Sequence, residues 1–230
     1  MKFRHLTFIE VLLAFAAIGT TGAQTQDDYA VMKKVQEAIK AAPNSRCTST
    51  ITDRDSGAVV ETIVIERVAP DRIHTFSTDN GQPGTEIISD GKRTIQRDGP
   101  NGAWKTLPVN FSALMNASQG AAGEEEFREQ HGHLKLVGDD KVGGVPAKVY
   151  ELSDDSGPSK IWLATDTSRM LKAERDYEGP GPVPKMKRSA KGAFDLKALQ
   201  AQLKAATAKH HLHSVMVFDY DTPIIITMPN

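Results

Sequence analysis

RCTSTITDRDSGAVVETIVIERVAPDRIHTFS, residues 46–77, is three runs rich in Ile, Val and Thr parted by two turn phrases. Arg46–Arg54, Ala58–Val68 and Arg72–Ser77 alternate apolar and polar side chains with a period of two, the pattern of half-buried strands. Asp55-Ser56-Gly57 and Pro70-Asp71 are turn formers, too short for a crossover, so the three strands run antiparallel. Alternation also puts Ile63 and Ile65 on one face of the second strand.

The same reading extends outward. Glu86–Ser89 and Lys92–Arg97 continue the strands, with Asn80-Gly81, Asp90-Gly91 and Asp98-Gly99 as turns. Asp90-Gly91 between Ile88 and Ile95 is the strongest hairpin signal. Upstream, Asp27-Asp28 followed by Val31, Met32, Val35, Ala38 and Ile39 predicts a helix with one apolar stripe, ended by Pro43-Asn44. Downstream, Pro108–Ala117 predicts a short helix with Phe111, Leu114 and Met115. Gln119–Glu125 reads as a loop, and Glu124–Phe127 as the opening of one helical turn. Strands return at Leu134–Val137, Ala147–Leu152, Lys160–Ala164 and Leu171–Asp176. Gly179–Pro184 is too dense in Gly and Pro for a sheet. A basic stretch, Lys185–Lys191, leads to a helix over Asp195–Ala208 with Leu196, Leu199 and Leu203 on one side. Ser214–Tyr220 and Pro223–Met228 close the chain as two strands. The sum is about eleven strands and three main helices, which argues α+β: one large curved antiparallel sheet with helices on it. Its edges and bare apolar face have to be closed or covered.

The first 23 residues follow another pattern. Lys2, Arg4 and His5 precede an apolar run, Leu6–Ile18, and Thr21-Gly22-Ala23 supplies small residues at a cleavage point. This predicts a secretory signal peptide, with residues 24–230 as a single domain. No cysteine lies at the cut, so no lipid anchor is expected. Glu10 is out of place in that run, since a charge at the centre of a membrane helix costs roughly 2.5–3.5 kcal/mol. Leu6–Phe15 is similar to the start of a type IV pilin, which carries an acid there. Against it, His5 replaces the expected glycine, and Gly19-Thr20-Thr21-Gly22 breaks the helix.

The chain has 230 residues, with 28 Lys plus Arg and 29 Asp plus Glu. Removing the leader takes Lys2, Arg4 and Glu10 and leaves 26 basic against 28 acidic residues. That near-neutral balance argues against nucleic acid as a partner. No second apolar segment is long enough to cross a bilayer. The single cysteine, Cys47, has no internal partner for a disulfide and is expected to be buried.

Several phrases, taken in order, resemble a known family. They are Ala69-Pro70-Asp71-Arg72-Ile73, Ile88-Ser89-Asp90-Gly91-Lys92, Gly102-Ala103-Trp104, Gly144-Val145-Pro146-Ala147-Lys148-Val149-Tyr150, Ile161-Trp162-Leu163 and Tyr220-Asp221-Thr222-Pro223-Ile224. The family is that of the outer-membrane lipoprotein-sorting (LolA-like) proteins and the related mycobacterial lipoprotein lipid carriers. The resemblance implies an unclosed β-barrel whose concave face is covered by helices, with an apolar cavity for acyl chains between. Two departures stand out: Lys185–His213 looks like an insertion, and the lipidation cysteine of the mycobacterial relatives is missing.

The resemblance brings no catalytic residues. His131 and His133 share a strand face if extended, and His210, His211 and His213 cluster. Imidazoles so placed bind zinc when a third ligand approaches. No carboxylate stands at a metal-site spacing, so structural or surface histidines are the preferred reading and no cofactor is expected. No serine sits in a Gly-x-Ser-x-Gly elbow. The pairs Asp53/Asp55, Asp139/Asp140 and Asp154/Asp155 flank turns and read as turn formers. Arg46, Arg72 and Arg97 are candidates to face the cavity and hold a head group, or else solvated strand residues. Lys185, Lys187, Arg188 and Lys191 form a basic patch suited to anionic lipid. Trp104 and Trp162 read as core.

The expectation is therefore a non-enzymatic, periplasmic soluble carrier for a lipid or an acylated protein, monomeric, meeting a membrane-bound donor or acceptor. Its cavity is expected to be lined by Ile63, Ile65, Phe76, Ile88, Ile95, Trp104, Leu163 and Val217. The alternatives are a metal-dependent hydrolase built on the histidines, or a pilin-like exported subunit.

Overall fold

The computed structural model describes residues 26–118, 133–154, 157–180 and 209–229. The leader, the one-turn helix near residue 125, His131, the basic stretch at 185–191 and the helix expected over 195–208 lie outside them.

Helix α1 covers Gln26–Ala41 and stops at Pro43, where the ring forbids another turn. β1 (Asn44–Asp53), β2 (Val59–Val68), β3 (Arg72–Asp79), β4 (Gln82–Ser89) and β5 (Thr94–Asp98) follow as consecutive hairpins. The β3–β4 turn is Asn80-Gly81, both at positive φ (48° and 71°), which suits a tight hairpin and which glycine adopts without strain. β6 (Lys105–Leu107) is a short strand that the sequence pattern does not announce. Helix α2 (Phe111–Ser118) starts later than Pro108, because Asn110 caps it: its Oδ1 accepts the Ala113 N–H at 2.9 Å.

The second half is longer-stranded than its periodicity suggests: β7 (His133–Val142), β8 (Val145–Asp154), β9 (Gly157–Ala164), β10 (Met170–Pro180) and β11 (Lys209–Asp219). Two expectations are corrected here. Gly179 and Pro180 do belong to a strand, paired with His210 and Lys209. Proline is tolerated there because it is the last residue of β10. The last strand likewise starts earlier than Ser214, since Lys209–His213 belong to β11. A third correction concerns the C-terminus. Residues 223–229 form no strand; they run as a strap over one face of the sheet. β6 gained and the strap lost leave the strand number at eleven.

The strand order is β6-β5-β4-β3-β2-β1-β11-β10-β9-β8-β7, antiparallel throughout. Among the described residues nothing pairs β6 with β7, so the sheet is an unclosed barrel with β1 at its centre. Pairing register separates two faces. On the inner face, Val31, Met32, Val35 and Ile39 of α1 pack on Leu152, Ile161, Met170 and Met216. Phe111 and Met115 of α2 pack on Ile65, Ile73 and Ile87 of the other half. The predicted α1 stripe is thus the one that docks. α2 is held by hydroxyls as well: the Ser112 Oγ–H donates to Ser89 Oγ at 2.7 Å and the Phe111 N–H to Thr94 Oγ1 at 3.0 Å, all fully buried. No described helix is long and apolar enough to cross a membrane.

Candidate functional site

The inner face changes character at its middle. Next to the α1-covered cluster lie small buried side chains, Ser49 and Ser214, with Ser77 across Ile63, whereas Thr75 lies between Ile65 and Ile87 within the α2-covered cluster. Cross-strand pairing sets Ser49 between Met216 and Ile63, and Ser77 on the far side of Ile63. Ile63 is 1% exposed and lies between the two clusters. Ser49 and Ser214 Oγ are 3.5 Å apart. Ser49, flanked across the strands by Met216 and Ile63, reaches less far from the sheet than either.

The eight residues expected to line a cavity do not come together. Ile63, Ile65 and Leu163 are on the inner face. Phe76 pairs with Val64 and Glu86, Ile88 with His74 and Ile95, and Val217 with Thr48 and Lys172, all on the outer face. Ile88, Ile95 and Trp104 pack under the strap with Ile226, while Val217 is 44% exposed. Apolar character alone does not sort these residues, because both faces of this sheet carry an apolar layer.

Arg46, Arg72 and Arg97 are corrected too, for all three lie on the outer face of the sheet. Arg46 Nη2 meets Glu66 Oε1 at 2.6 Å, Glu66 Oε2 meets His74 Nδ1 at 3.0 Å, His74 Nε2 meets Glu86 Oε1 at 2.9 Å, and Glu86 Oε2 meets Arg97 Nε at 2.6 Å. This chain of half-buried charges crosses β1 to β5 on the outer face and ends with Arg97 over the Trp104 ring. Its members satisfy one another, so it is a structural brace. Arg72 reaches the Ile226 carbonyl of the strap. Trp162 is core, in the outer cluster with Val149 and Leu171, its N–H donated to Asp140 at 2.9 Å.

The sequence did not single out Arg67, which lies on the inner face, as Arg175 does on the other half of the sheet. The alternation that pairs Ile63 with Ile65 carries on to Arg67. Its Nη1–H donates to the Ile39 carbonyl in the last turn of α1 at 2.9 Å, where a cation also meets the negative end of the helix dipole. Its Nε is buried and finds no hydrogen-bond partner among the described residues, and neither does the hydroxyl of Thr75. Cys47 is half-buried on this face, and burial pushes its thiol up to about 12, so it is an inert thiol.

The described histidines do not converge. His210 meets Asp53 (Nδ1 to Oδ2, 2.6 Å), while His213 meets Asp176 at 2.8 Å from the opposite face. Among the described residues no group of three His, Cys, Asp or Glu side chains is placed to hold a metal. Asp53 is the turn former it was read as: the Ser56 and Asp55 N–H groups donate to its Oδ1 at 2.9 Å. Those bonds, the Ser56 N–H first and then His210, hold its carboxyl at about 2. A carboxyl whose folded pKa lies below its unfolded value of about 4 stabilises fully above that value, and loses the contribution as pH falls through the folded one. The stability difference between wild type and Asp53→Asn, which keeps an acceptor but loses the charge, is therefore expected to stay constant down to about pH 5 and to shrink towards about pH 2. Urea melts across that range check it, and a difference independent of pH contradicts it.

No family model matches the chain, and no curated protein does. Solved structures match. The lipoprotein LppX of Mycobacterium tuberculosis aligns with a TM-score of 0.53 at 13% identity, over 87% of this chain and 98% of that one. LprF from Mycobacterium bovis aligns at 0.49 and 10% identity, over 91% and 99%. NE2245 from Nitrosomonas europaea, a LolA superfamily protein, aligns at 0.28 and 11% identity, over 84% and 91%. At such identity the LppX likeness is one of fold. The unclosed β-barrel expected from the sequence is the fold the chain adopts.

Proposed function

We propose that the chain is an exported, non-enzymatic carrier that holds a hydrophobic ligand, a lipid or the acyl chains of a lipoprotein, between the inner face of the sheet and its covering helices. The carrying observation is the row of small buried side chains on the inner face, Ser49, Ser77 and Ser214, beside Ile63 and next to the α1-covered cluster. A face meant only to pack helices has no use for serines at its centre, since they surrender apolar contact. A face that takes a chain of methylenes does, because each one buried contributes about 0.8 kcal/mol. Ile63, Ile65 and Leu163 are the expected lining residues on this face. Two things support placing it beyond the inner membrane: the basic-apolar-small order of the first 23 residues, and the fold shared with a protein named as a lipoprotein. A membrane-bound donor or acceptor and a monomeric state belong to the same reading.

The test is a fluorescent long-chain fatty-acid probe titrated into residues 24–230, wild type and Ser49→Phe. Wild type is expected to bind saturably. Ser49→Phe is expected to bind at least about tenfold more weakly, a loss of about 1.4 kcal/mol, with its melting temperature kept. If protein side chains fill the space above Ser49, the phenylalanine overpacks the core and costs about 1–3 kcal/mol of stability instead. That result, or a folded wild type that binds no probe of any chain length, overturns the carrier.

A further inference from the structure

We infer that the ligand carries an anionic oxygen head group, and that the Arg67 Nε–H and the Thr75 hydroxyl receive it on the inner face. This rests on the carrier reading above and names the ligand class of the same site.

The two groups share a face and a neighbourhood. Arg67 pairs with Ile73, and Ile65 pairs with Thr75, so Arg67 and Thr75 are diagonal neighbours across β2 and β3. Diagonal side chains lie roughly 7–8 Å apart at their bases, within reach of a long one. Thr75 is 0% exposed, and its hydroxyl has no partner among the described residues. The Arg67 Nε is buried and unpartnered as well, while Nη1 is held by the helix carbonyl. That carbonyl fixes the guanidinium plane and leaves the Nε edge aimed elsewhere.

The charge balance points the same way. Arg46 and Arg97 on the outer face each have a carboxylate at 2.6 Å. Among the described residues no carboxylate pairs with Arg67. Burial pulls its pKa below the ordinary value, with the Tyr220 hydroxyl working in the other direction, yet an arginine in a protein stays charged. A half-buried cation without a counter-charge still carries a desolvation cost, and a single helix carbonyl offsets only part of that. An anion delivered by a ligand offsets the rest. The acceptor must be an oxygen able to take one N–H and one O–H donor while its chain runs on past Ile65 and Ile63 towards Ser49. A carboxylate or a phosphate monoester on a long alkyl chain has that form, and a neutral ester or alcohol lacks the charge.

The experiment measures the affinities of hexadecanoic acid, hexadecyl phosphate and hexadecanol by displacement of an uncharged fluorescent probe from residues 24–230. The proteins are wild type, Arg67→Gln, Arg67→Lys and Thr75→Val. Wild type is expected to prefer at least one of the two anions over the alcohol by about tenfold or more, the worth of a charged hydrogen bond. Whichever anion binds tighter identifies the head group. Arg67→Gln is expected to bring the anions down to the alcohol's affinity while leaving the alcohol within about twofold. Arg67→Lys retains part of the preference, and Thr75→Val loses a smaller part. The ratio of anion to alcohol affinity is read within one sample, so it survives a variant that folds less well. Wild type that binds all three alike overturns the head-group assignment and leaves the carrier standing, as does a preference that persists in Arg67→Gln. Wild type that binds none of the three overturns both.

Discussion

Replacing Ile161 with alanine is expected to destabilise the protein by about 3 kcal/mol, lowering the melting temperature by roughly 6–12 °C. Ile161 is 1% exposed and sits in β9 at the heart of the α1-covered cluster, among Val35, Leu152, Ala173 and Met216. Truncation removes three methylene-sized groups and leaves a hole. The surrounding strands pair on both sides, β8 through Tyr150 and β10 through Ala173, and cannot collapse into it. A cost of this size is a large fraction of the 5–15 kcal/mol that holds a typical domain together. Val217→Ala, an apolar truncation at an exposed outer position, is expected to stay within about 0.5 kcal/mol. Differential scanning calorimetry of the two variants checks both, and equal effects contradict the assignment of faces.

That contrast also shows how far the sequence could be read. The hairpins from β1 to β5 were legible because each is local: Ile, Val and Thr alternate, and Asn80-Gly81 and Asp90-Gly91 announce their turns. The α1 stripe was legible because it needs only a helical period. Which face a strand turns inward was not. Ile87 and Ile88 are neighbours on opposite faces, both buried, one beneath α2 and the other beneath the strap. A period of two sorts side chains into two sets but cannot say which set meets the helices when both are apolar. That is why Phe76, Ile88, Ile95 and Val217 were placed inside. The pairing of β1 with β11 joins residues more than 150 positions apart and has no local mark. Arg67 did have one. It stands two positions after Ile65, as Ile65 stands after Ile63, so the alternation already placed a cation on the inner face. Its missing counter-charge became visible only with the pairing register and the burial of Nε.

The strap provides the second large expected effect. Ile224-Ile225-Ile226-Thr227 has the composition of a strand, and Pro223 and Pro229 bracket it. It makes no ladder because it lies across the outer face and not along an edge. Its side chains still alternate: Ile224, Ile226 and Met228 pack on Val68, Ile88, Ile95 and Trp104, while Ile225 is 88% exposed. Arg72 and Arg93 reach the Ile226 and Pro229 carbonyls at 3.5 and 3.4 Å, long contacts that guide the strap more than they hold it. Apolar burial is therefore what keeps it down. Ile226→Asp would set a carboxylate between Ile88 and Ile95, a penalty of several kcal/mol if the strap stayed in place. The strap has a cheaper response, which is to leave. The expected cost is then capped by the docking energy of the strap, about 2–4 kcal/mol. With Trp162→Phe as background, Trp104 emission is expected to shift to the red, and a protease is expected to cut within residues 221–229. Ile225→Asp, one position away, is expected to change neither the emission nor the melting temperature. If the two aspartates behave alike, the alternation along the strap is wrong, and the outer apolar cluster must be held by something other than this segment.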